Sequence, residues 1–435
     1  MKRRPQKARN SAPPRSAHVQ IEKPIYGGAF LARVDGKATF IPLTLPGEQA
    51  RVRIVEEKHG YAVGEPEEIV VTAANRVMPA CRHFGACGGC QYQHTDYASQ
   101  LEFKQAILRE TFERGGVTAP EKIDVLAANP WQYRNRIRLA FDNAGRMGYR
   151  ARRSHDLVPI SECPIAAPLL VSAALTLADN LREQRLRAME VSLFCNAEET
   201  ELLASIFVRD SATRGLDQLF EKWKQRVPAL TGVELVNEGG VGQASRIIAR
   251  AGAASMSYRA NGVNYRVDHG SFFQVNRWLV DTLVDRVVAN RRGDLAWDLF
   301  AGVGLFACSL QKQFKQVIAV ESAPTAMEAL TQNLYGSTGR SVNAETLAFL
   351  KGQSSGAKPD LIVVDPPRAG LGLETASLLA GIEAPVIVYV SCDPATLARD
   401  LRTLIGSGYA LSSTTLADLF PQTFHLESVV ELRRA

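Results

Sequence analysis

Short runs of alternating apolar and polar residues fill the chain between Val19 and Val71. Turn signals separate these runs, at Tyr26-Gly27-Gly28, Asp35-Gly36, Pro46-Gly47 and Gly60. Alternation over a few residues, broken by glycine and proline, is typical of short β-strands joined by tight turns. The pattern predicts a five-stranded β-barrel in residues 16–74, and small barrels of this kind commonly bind nucleic acid.

A second pattern, in which apolar strands alternate with helical segments, fills residues 262–435. The strands are "LAWDLFAG", "QVIAVES", "LIVVDPPR", "PVIVYVSCD" and "LESVVELRR". This order is typical of a doubly wound, mainly parallel sheet, which binds ligands at the carboxyl ends of its strands. The fold class is therefore α/β, with a Rossmann-like domain at the carboxyl end of the chain.

The middle of the chain, residues 75–261, has a less specific pattern and is predicted to be a central α+β domain. Near its start, the spacing of Leu101, Ile107, Leu108 and Phe112 predicts a helix over residues 97–114 that ends at Gly115-Gly116. We expect this helix to pack on the carboxyl-terminal domain.

Composition and charge favour a globular protein with two or three domains. The 435 residues are 46% hydrophobic and 22% charged, and no run approaches the about 20 apolar residues that cross a membrane. Residues 1–15 form a basic tail without an acidic residue or an apolar stretch, so we expect no secretion signal and a cytoplasmic protein. The net charge of +6 agrees weakly with a nucleic-acid partner, and the tail is either simply solvated or contacts phosphates.

Four of the seven cysteines have a spacing that suits a metal centre. Cys81, Cys87 and Cys90 lie in "CRHFGACGGCQYQH", and Cys163 follows in "SECPIA". Four thiolates suit zinc or an iron–sulfur cluster, and unrelated buried cysteines are the alternative. The pair Gly88-Gly89 would let the backbone wrap closely around a bulky centre.

A basic strand is predicted in "WQYRNRIRLAFDN". Arg134, Arg136 and Arg138 alternate with Asn135, Ile137 and Leu139, so one face carries guanidinium groups and the other faces the core. With the neighbouring ring of Tyr133, this face suits RNA phosphates and unstacked bases. A solvated edge strand protected by its charges is the alternative.

The segment "AWDLFAGVGLFACSL" predicts a ligand-binding loop between a strand and a helix. Gly302 and Gly304 would let the backbone approach a cofactor, and Glu321 at the end of the next strand could accept hydrogen bonds from ribose hydroxyls. An NAD-dependent dehydrogenase fits this loop equally well. The strand ends "DPPR" and "SCDP" argue against it, because no partner for hydride transfer is evident there.

Cys392 ends the run "PVIVYVSCD", just before Asp393-Pro394 and a predicted helix start. Backbone N–H groups at a helix start can lower the pKa of a thiol, which favours a nucleophile over a buried structural cysteine. Glu427 in "HLESVV" is the best-placed candidate base, unless it is only a surface acid at the start of a strand. Asp365 ends the strand "LIVVD". The residue after its two prolines is Arg368 rather than the aromatic residue usual in exocyclic-amine methyltransferases.

Taken together, these segments resemble a known family. The string "YGGAFLARVDGKATFIPLTLPGEQARVRI" resembles the TRAM module, and nearly the whole chain resembles the RNA 5-methyluridine methyltransferases. Having both the barrel and the cysteines, the chain is most similar to the branch that acts on bacterial 23S ribosomal RNA. The resemblance implies a class I methyltransferase domain, S-adenosylmethionine as methyl donor, and a [4Fe-4S] cluster on Cys81, Cys87, Cys90 and Cys163. It also implies that Cys392 is the nucleophile, that Glu427 is the base, and that the cofactor is contacted by Gln274, Phe300, Leu305, Glu321, Asn343 and Asp365.

In this reading, the chain is a monomeric enzyme that methylates C5 of a uridine in RNA. Uracil C5 is a poor nucleophile, but addition of a thiolate at C6 produces an enolate whose C5 can attack a methyl group. A target base stacked in a helix would have to be extruded first. Two alternatives remain: an enzyme of the same class that acts on tRNA or on another ribosomal RNA site, and a non-catalytic RNA-binding iron–sulfur protein.

Overall fold

A computed structural model of the chain describes residues 15–184, 187–209, 215–239, 245–288, 290–353 and 358–435. The predicted basic tail lies outside these residues except for Arg15. The chain forms two compact units. The N-terminal unit comprises residues up to 85, together with 90–107 and 422–424, and the main unit comprises 86–89, 108–421 and 425–435.

The N-terminal unit contains the sheet that the alternating pattern predicts. Its strands within the described residues are β1 (Ser16–Gln20), β2 (Lys23–Pro24), β3 (Ala29–Val34), β4 (Lys37–Pro42), β5 (Gln49–Glu57) and β6 (Ala62–Val71). They are ordered β1-β5-β6-β4-β3-β2, and only the β4–β6 pairing is parallel. In β5, Ala50, Val52 and Ile54 are buried while the residues between them are exposed, as a half-buried strand requires. The five-strand prediction misses β2, which is only two residues long.

Two local predictions about this part of the chain are confirmed. Asp35 and Gly36 join β3 to β4 with φ values of 51° and 77°, the positive angles that a two-residue hairpin turn needs. The predicted helix is α1 (Tyr97–Arg114). The helix ends at Arg114, and Gly116 follows with a φ of 76°. Val117 N–H donates to the Phe112 carbonyl, which is the usual glycine-based helix end. Residues 97–107 of α1 belong to the N-terminal unit and 108–114 to the main unit.

The first half of the main unit forms a mixed sheet with two helices. Its elements are β7 (Asp124–Leu126), β8 (Arg136–Phe141), β9 (Met147–Arg150), β10 (Leu157–Pro159), α2 (Pro168–Gln184), β11 (Glu190–Cys195), β12 (Leu202–Val208), α3 (Leu216–Arg226), β13 (Leu230–Asn237) and β14 (Arg246–Gly252). Apart from β7, the described strands are ordered β10-β9-β8-β11-β12-β13-β14. Apolar residues of α2 and α3 share one core with this sheet, including Leu177 and Trp223.

The second half of the main unit is the predicted Rossmann-like domain. A hairpin of β15 (Ser255–Ala260) and β16 (Val263–Asp268) precedes it. The further elements are α4 (Val280–Val288), β17 (Gly293–Leu299), α5 (Leu305–Leu310), β18 (Phe314–Glu321), α6 (Pro324–Asn333), β19 (Gly339–Asn343), α7 (Thr346–Lys351), β20 (Leu361–Val364), α8 (Gly372–Ile382), β21 (Val386–Ser391), α9 (Pro394–Gly406), β22 (Tyr409–Ala417) and β23 (Ser428–Arg434).

Within the described residues, the strand order of this sheet is β19-β18-β17-β20-β21-β23-β22-β7. The strands from β19 to β21 are parallel, whereas β23 is antiparallel to both of its neighbours. All four residues of β20 are buried, because helices cover both faces of such a sheet. The prediction of a mainly parallel, Rossmann-like sheet is confirmed. Across the described ranges, no helix combines the length and apolar character needed to span a membrane.

Candidate active site

The carboxyl ends of four parallel strands bring most of the predicted site residues to one edge of the sheet. Phe300 follows β17, Glu321 ends β18, Asp365 follows β20 and Cys392 follows β21. Since β18, β17, β20 and β21 are adjacent and parallel, these residues lie side by side. This edge is where doubly wound sheets bind their ligands.

The loop between β17 and α5 has the backbone shape of a ligand-binding turn. Gly302 and Gly304 have φ values of 55° and 93°. A Cβ atom on Gly302 would meet nothing within 4 Å, so this glycine faces open space, whereas one on Gly304 would lie 2.8 Å from the side chain of Leu330. Phe300 also has a positive φ, 63°, which costs a bulky residue about 1–3 kcal/mol. Strain of this size is retained mainly where a site needs a particular backbone direction.

Glu321 holds this loop in place. Its Oε2 accepts a hydrogen bond from Gly302 N–H at 2.8 Å, and its Oε1 accepts from Ser322 and Ala323 at 2.8 and 2.7 Å. A carboxylate has about four acceptor positions, so it has capacity for about one further bond. Asn343 is exposed and pairs with Glu321 across β18 and β19.

A small pocket at the start of α5 contains four of the six predicted cofactor residues. It is lined by Phe272, Phe273, Gln274, Phe300, Ala301, Gly302, Val303, Leu305, Phe306 and Asp365. The side chain of Leu305 is apolar and offers only van der Waals contact. Its backbone carbonyl accepts a hydrogen bond from the Tyr265 hydroxyl at 3.0 Å. Gln274 is buried, and Asn135 Nδ2 donates to its backbone carbonyl at 3.0 Å.

Asp298 belongs to this site and was missed by the sequence analysis. It lies in β17 with no exposed surface, and its Oδ2 accepts from Ala307 N–H at 2.8 Å. Its Oδ1 has no hydrogen-bond partner among the described residues. Burial, helped by the charges of Asp365 and Glu321, raises the pKa of Asp298 to about 8. The signal was present, because an acid inside the apolar run "LAWDLF" is unusual for a central strand.

Cys392 and Glu427 face each other at the ends of two paired strands. Cys392 comes directly after β21, and Glu427 comes directly before β23. Ser391 pairs with Ser428 in the antiparallel register of these strands, so the next residue outwards on each strand lies at the same edge. Glu427 is buried, and Cys392 is partly buried.

The charges around Cys392 raise the pKa of its thiol, in contrast to the prediction from the helix start. Burial, together with Glu427 and Asp365, raises this pKa to about 11, although Arg368 opposes the shift. The helix start does not activate the thiol because Asp393 caps it. The Asp393 carboxylate accepts from the N–H groups of Ala395 and Thr396, both at 3.0 Å.

Two carboxyl groups and the thiol form one coupled acidic cluster. Burial and the charge of Asp365 raise the pKa of Glu427 well above its usual range, whereas Arg368 lowers it. Burial raises the pKa of Asp365 to about 7. Like charges this close do not all ionise together. The Arg368 guanidinium also contacts His425, with 3.1 Å between Nη2 and Nδ1.

The four predicted metal-binding cysteines are all of intermediate exposure. Cys81 and Cys90 belong to the N-terminal unit, and Cys87 and Cys163 to the main unit. Gly89 N–H donates to Cys87 Sγ at 3.4 Å, and the Tyr149 hydroxyl donates to Cys163 Sγ at 3.8 Å. Among the described residues, no group of three or more His, Cys, Asp or Glu side chains is arranged to hold a metal ion. The side chains themselves are of a kind that binds metal.

The predicted basic strand has its expected two faces, but its residues are not equally accessible. Asn135, Ile137 and Leu139 are buried, and Arg138 is exposed. Arg134 lies just before β8, where it bridges to Ala166 and Asn276. Arg136 packs on the Phe194 ring at 4.1 Å, and burial lowers its pKa to about 10.

Tyr133 differs from the prediction. Its ring has no exposed surface, and its hydroxyl donates to the Pro421 carbonyl at 3.1 Å. A fully buried ring cannot stack on a base, so in this conformation Tyr133 stabilises the main unit instead of contacting RNA.

Comparison with protein families gives two matches. The profile described as tRNA (Uracil-5-)-methyltransferase matches residues 355–435. The TRAM domain profile matches residues 17–66.

Curated relatives match almost the whole chain. A 23S rRNA (uracil(1939)-C(5))-methyltransferase RlmD from Shewanella frigidimarina is 33% identical over 93% of this chain and 92% of its own length. The RlmD of Aeromonas salmonicida is also 33% identical, over 98% of both chains. An uncharacterized RNA methyltransferase from Streptomyces avermitilis is 32% identical over 96% of this chain and 98% of its own.

A solved structure shares the fold. The tRNA (uracil-54, C5)-methyltransferase of Pyrococcus abyssi, crystallised with S-adenosyl-L-homocysteine, superposes with a TM-score of 0.78 at 24% identity. The match covers 95% of this chain and 100% of that one. With its TRAM domain, its Rossmann-like domain and the full-length match to the RlmD enzymes, this chain belongs to the RNA (uracil-C5)-methyltransferase family.

Proposed function

We propose that this chain methylates C5 of a uridine in 23S ribosomal RNA, with S-adenosylmethionine as methyl donor. The observation that carries the proposal is the placement of Cys392 opposite Glu427, at the ligand-binding edge of a methyltransferase sheet. The near full-length similarity to enzymes named for uracil 1939 of 23S rRNA supports this substrate. The TRAM sequence supports binding to RNA.

In the proposed reaction, the Cys392 thiolate bonds to C6 of the uracil, and the electrons of the C5–C6 double bond move into an enolate. Bound S-adenosylmethionine supplies an electrophilic methyl group, which C5 takes. The Glu427 carboxylate then removes the proton from C5. The C5–C6 double bond forms again, the sulfur–carbon bond breaks, and the thiolate returns to Cys392. Besides the methylated uridine, the products are S-adenosylhomocysteine and one proton, which passes from Glu427 to solvent.

The raised pKa values of Cys392 and Glu427 indicate which roles these residues and Arg368 would have in the reaction. With a pKa of about 11, about one Cys392 thiol in ten thousand is ionised at pH 7. Arg368 opposes this shift, so we assign it the role of stabilising the thiolate and the enolate oxygen by charge. The high pKa of Glu427 makes its carboxylate a strong base once it is ionised.

We assign cofactor binding to the residues along the strand ends, namely Gln274, Phe300, Leu305, Glu321, Asn343 and Asp365. They fit an adenosyl ligand in kind, because Phe300 and Leu305 offer apolar contact while Glu321 and Asn343 offer polar groups. The open space over Gly302 lets a ligand approach the backbone. Calorimetric titration of the Glu321→Gln variant with S-adenosylhomocysteine would test this assignment.

The covalent step is tested with RNA that contains 5-fluorouridine. Fluorine at C5 cannot be removed as a proton, so the adduct between Cys392 and C6 should accumulate in the presence of the cofactor. Mass spectrometry should locate it on the peptide that contains Cys392, and the Cys392→Ala variant should form none. If the wild-type enzyme methylates ordinary RNA but forms no covalent adduct with fluorinated RNA, the mechanism is disproved.

A tRNA substrate is the alternative, favoured by the description of the profile that matches residues 355–435. Mapping of modified nucleosides in ribosomal RNA and tRNA from a deletion strain would decide between the two. Loss of 5-methyluridine from 23S rRNA alone supports the proposal, whereas loss from tRNA alone supports the alternative.

We also propose that Cys81, Cys87, Cys90 and Cys163 hold a [4Fe-4S] cluster within a central domain of residues 75–261. Support comes from the four thiol side chains in this sequence spacing and from the N–H to sulfur bond between Gly89 and Cys87. The cluster would stabilise this region, and no step of methyl transfer depends on it. Anaerobically purified protein should be brown, with absorbance near about 400 nm and about four iron atoms per chain. Stoichiometric zinc without iron would refute the assignment.

The domain limits also remain proposals: a TRAM domain at 16–74, the central domain, and a methyltransferase domain at 262–435 that takes α1 as an extra packing element. Because one chain carries both Cys392 and Glu427, we propose that it acts as a monomer, in the cytoplasm where ribosomal RNA is modified. Light scattering after gel filtration measures the first property, and cell fractionation measures the second.

A further inference from the structure

Most guanidinium groups near the basic strand already have partners in the protein. Arg138 donates to Glu190 at 2.5 Å and to Glu238 at 2.6 Å. Arg136 is stacked on a buried ring. Among the described residues, the main unit nevertheless has arginines without such partners, located just before β11 and just after β12.

A polar pocket of about 760 Å³ lies between the turn after β8, helix α2 and the edges of β11 to β13. We call it the arginine pocket. Its walls are formed by Phe141, Asp142, Asn143, Ala144, Gly145, Arg150, Ala178, Leu181, Arg182, Arg187, Ala188, Met189, Glu190, Arg209 and Glu238.

Arg187 and Arg209 are the least engaged charges of this pocket. Both side chains are exposed. The Nε of Arg209 contacts the sulfur of Met189 at 2.9 Å. Within the described ranges, neither guanidinium makes an ion pair with a carboxylate. Two exposed guanidinium groups thus have no carboxylate partner in the part of the chain that the structure describes.

The three acids of the pocket do not cancel this charge, because other groups already bind them. Asp142 accepts from Arg146 at 2.7 Å and from the N–H groups of its own turn. Glu190 and Glu238 both bind Arg138. The side chains of these acids are only 21–35% exposed, whereas those of Arg150 and Arg182 are 50% and 57% exposed. The accessible surface of the pocket is therefore positive.

We infer that the arginine pocket binds phosphate groups of the RNA substrate, away from the uridine that is methylated. This inference rests on the proposed function and adds a second RNA contact to it. Guanidinium groups match phosphate oxygens in pairs of parallel hydrogen bonds. The single aromatic wall residue, Phe141, is partly buried, so the pocket offers charge rather than a surface for base stacking. Contacts of this kind position an RNA without reading its sequence.

The test compares RNA binding by wild-type protein and by the double variant Arg187→Ala/Arg209→Ala. The fluorescence anisotropy of a labelled 23S rRNA fragment is measured at several salt concentrations. Loss of two phosphate contacts should weaken binding roughly tenfold per guanidinium. It should also reduce the slope of log affinity against log salt by about 1.4. Arg259→Ala is the matched control, because Arg259 is also exposed but lies on β15, and it should bind like wild type.

The outcomes separate this inference from the proposed function. Equal affinity and equal salt slope for the double variant and the wild type would overturn the inference. The same holds if millimolar inorganic phosphate stabilises the wild type through these arginines while RNA affinity does not depend on them. A wild-type protein that binds and methylates no RNA at all would instead overturn the proposed function. A raised KM for RNA with an unchanged turnover number in the double variant supports the inference.

Discussion

Asp400 on α9 anchors the loop that carries Asp365 and Arg368. It is buried, and its Oδ2 accepts from Leu371 N–H at 2.7 Å and from the Tyr389 hydroxyl at 2.8 Å. The loop passes so close that a Cβ atom on Gly370 would lie 2.5 Å from this oxygen. Replacing Asp400 therefore perturbs the acidic cluster of Cys392, Asp365 and Glu427 without changing any of these residues.

The magnitude follows from the donors that lose their acceptor. In Asp400→Ala, two buried donors are left unpaired, and each costs about 1–3 kcal/mol, so the variant should lose about 2–6 kcal/mol of unfolding free energy. Arg399 also donates to Asp400, at 2.9 Å, but it is partly exposed and can turn to solvent. Asp400→Asn keeps an acceptor oxygen and should lose about 1–3 kcal/mol.

Two measurements on the same variants test this reasoning. Urea unfolding gives the stability, and adduct formation with 5-fluorouridine RNA gives the function of the cluster. In Asp400→Asn we expect at least a tenfold slower adduct rate under conditions where the protein stays folded, since the neutral amide holds the loop with Arg368 less firmly than the carboxylate does. Tyr389→Phe is the control: it removes one of the two donors, keeps the carboxylate, and should lose about 1 kcal/mol with little change in rate.

A small effect would refute the anchoring role. If Asp400→Ala loses less than about 1 kcal/mol, the two donors find other partners and the contacts do not hold the loop. If Asp400→Asn is destabilised as expected but forms the adduct at the wild-type rate, the loop position does not matter for the cluster.

Three further predictions follow from the ionisable groups of the site. Glu427→Gln should accumulate a covalent, methylated complex with ordinary RNA on denaturing gels, because only the later proton removal is blocked; free turnover would contradict its role as base. The rate of adduct formation by the wild type should rise about tenfold per pH unit between pH 7 and about 10, since the pKa of Cys392 is about 11, and a rate that is flat above pH 8 would contradict this. Asp298 has a pKa raised from 3.8 to about 8, so its contribution to stability is complete below pH 3.8 and is lost as the pH rises through about 8. Thermal melts at pH 5, 7 and 9 should show this loss in the wild type and a flatter profile in Asp298→Asn.

The regular parts of the main unit could be predicted from sequence because their residues obey a simple period. The apolar runs before Asp365 and Cys392 are strands whose side chains are buried on both faces, and a central parallel strand requires such a run. The positions of Gly302, Gly304 and Glu427 could be predicted for the same reason, because these residues lie next to strand ends. Short or less apolar strands, such as β2 and β19, gave no comparable signal.

The burial and the ion-pair partners of individual side chains could not be predicted, because they depend on contacts with residues that are distant in the sequence. Tyr133 and Arg138 lie on a segment whose composition suits RNA, yet one is buried and the other is bound by Glu190 and Glu238, which are distant in sequence. Arg187 and Arg209 lie outside this segment, and neither pairs with a carboxylate among the described residues. The local sequence pattern predicts the face of a strand on which a residue lies. It does not predict which charged residues from other elements lie against that face.

The acidic surroundings of Cys392 impose an order on the proposed reaction. Burial and the charge of Asp365 raise the pKa of Glu427, and burial and the charge of Glu427 raise the pKa of Cys392. Since two like charges repel, ionisation of the thiol disfavours ionisation of the Glu427 carboxyl group. When the sulfur bonds to C6, the negative charge moves to the enolate of the uracil ring. Transfer of the methyl group from the sulfonium donor then neutralises this charge. The pKa of Glu427 falls at that stage, and the carboxylate forms when the C5 proton must be taken. The same coupling that makes Cys392 a weak nucleophile in the free protein thus delays the base until its substrate exists.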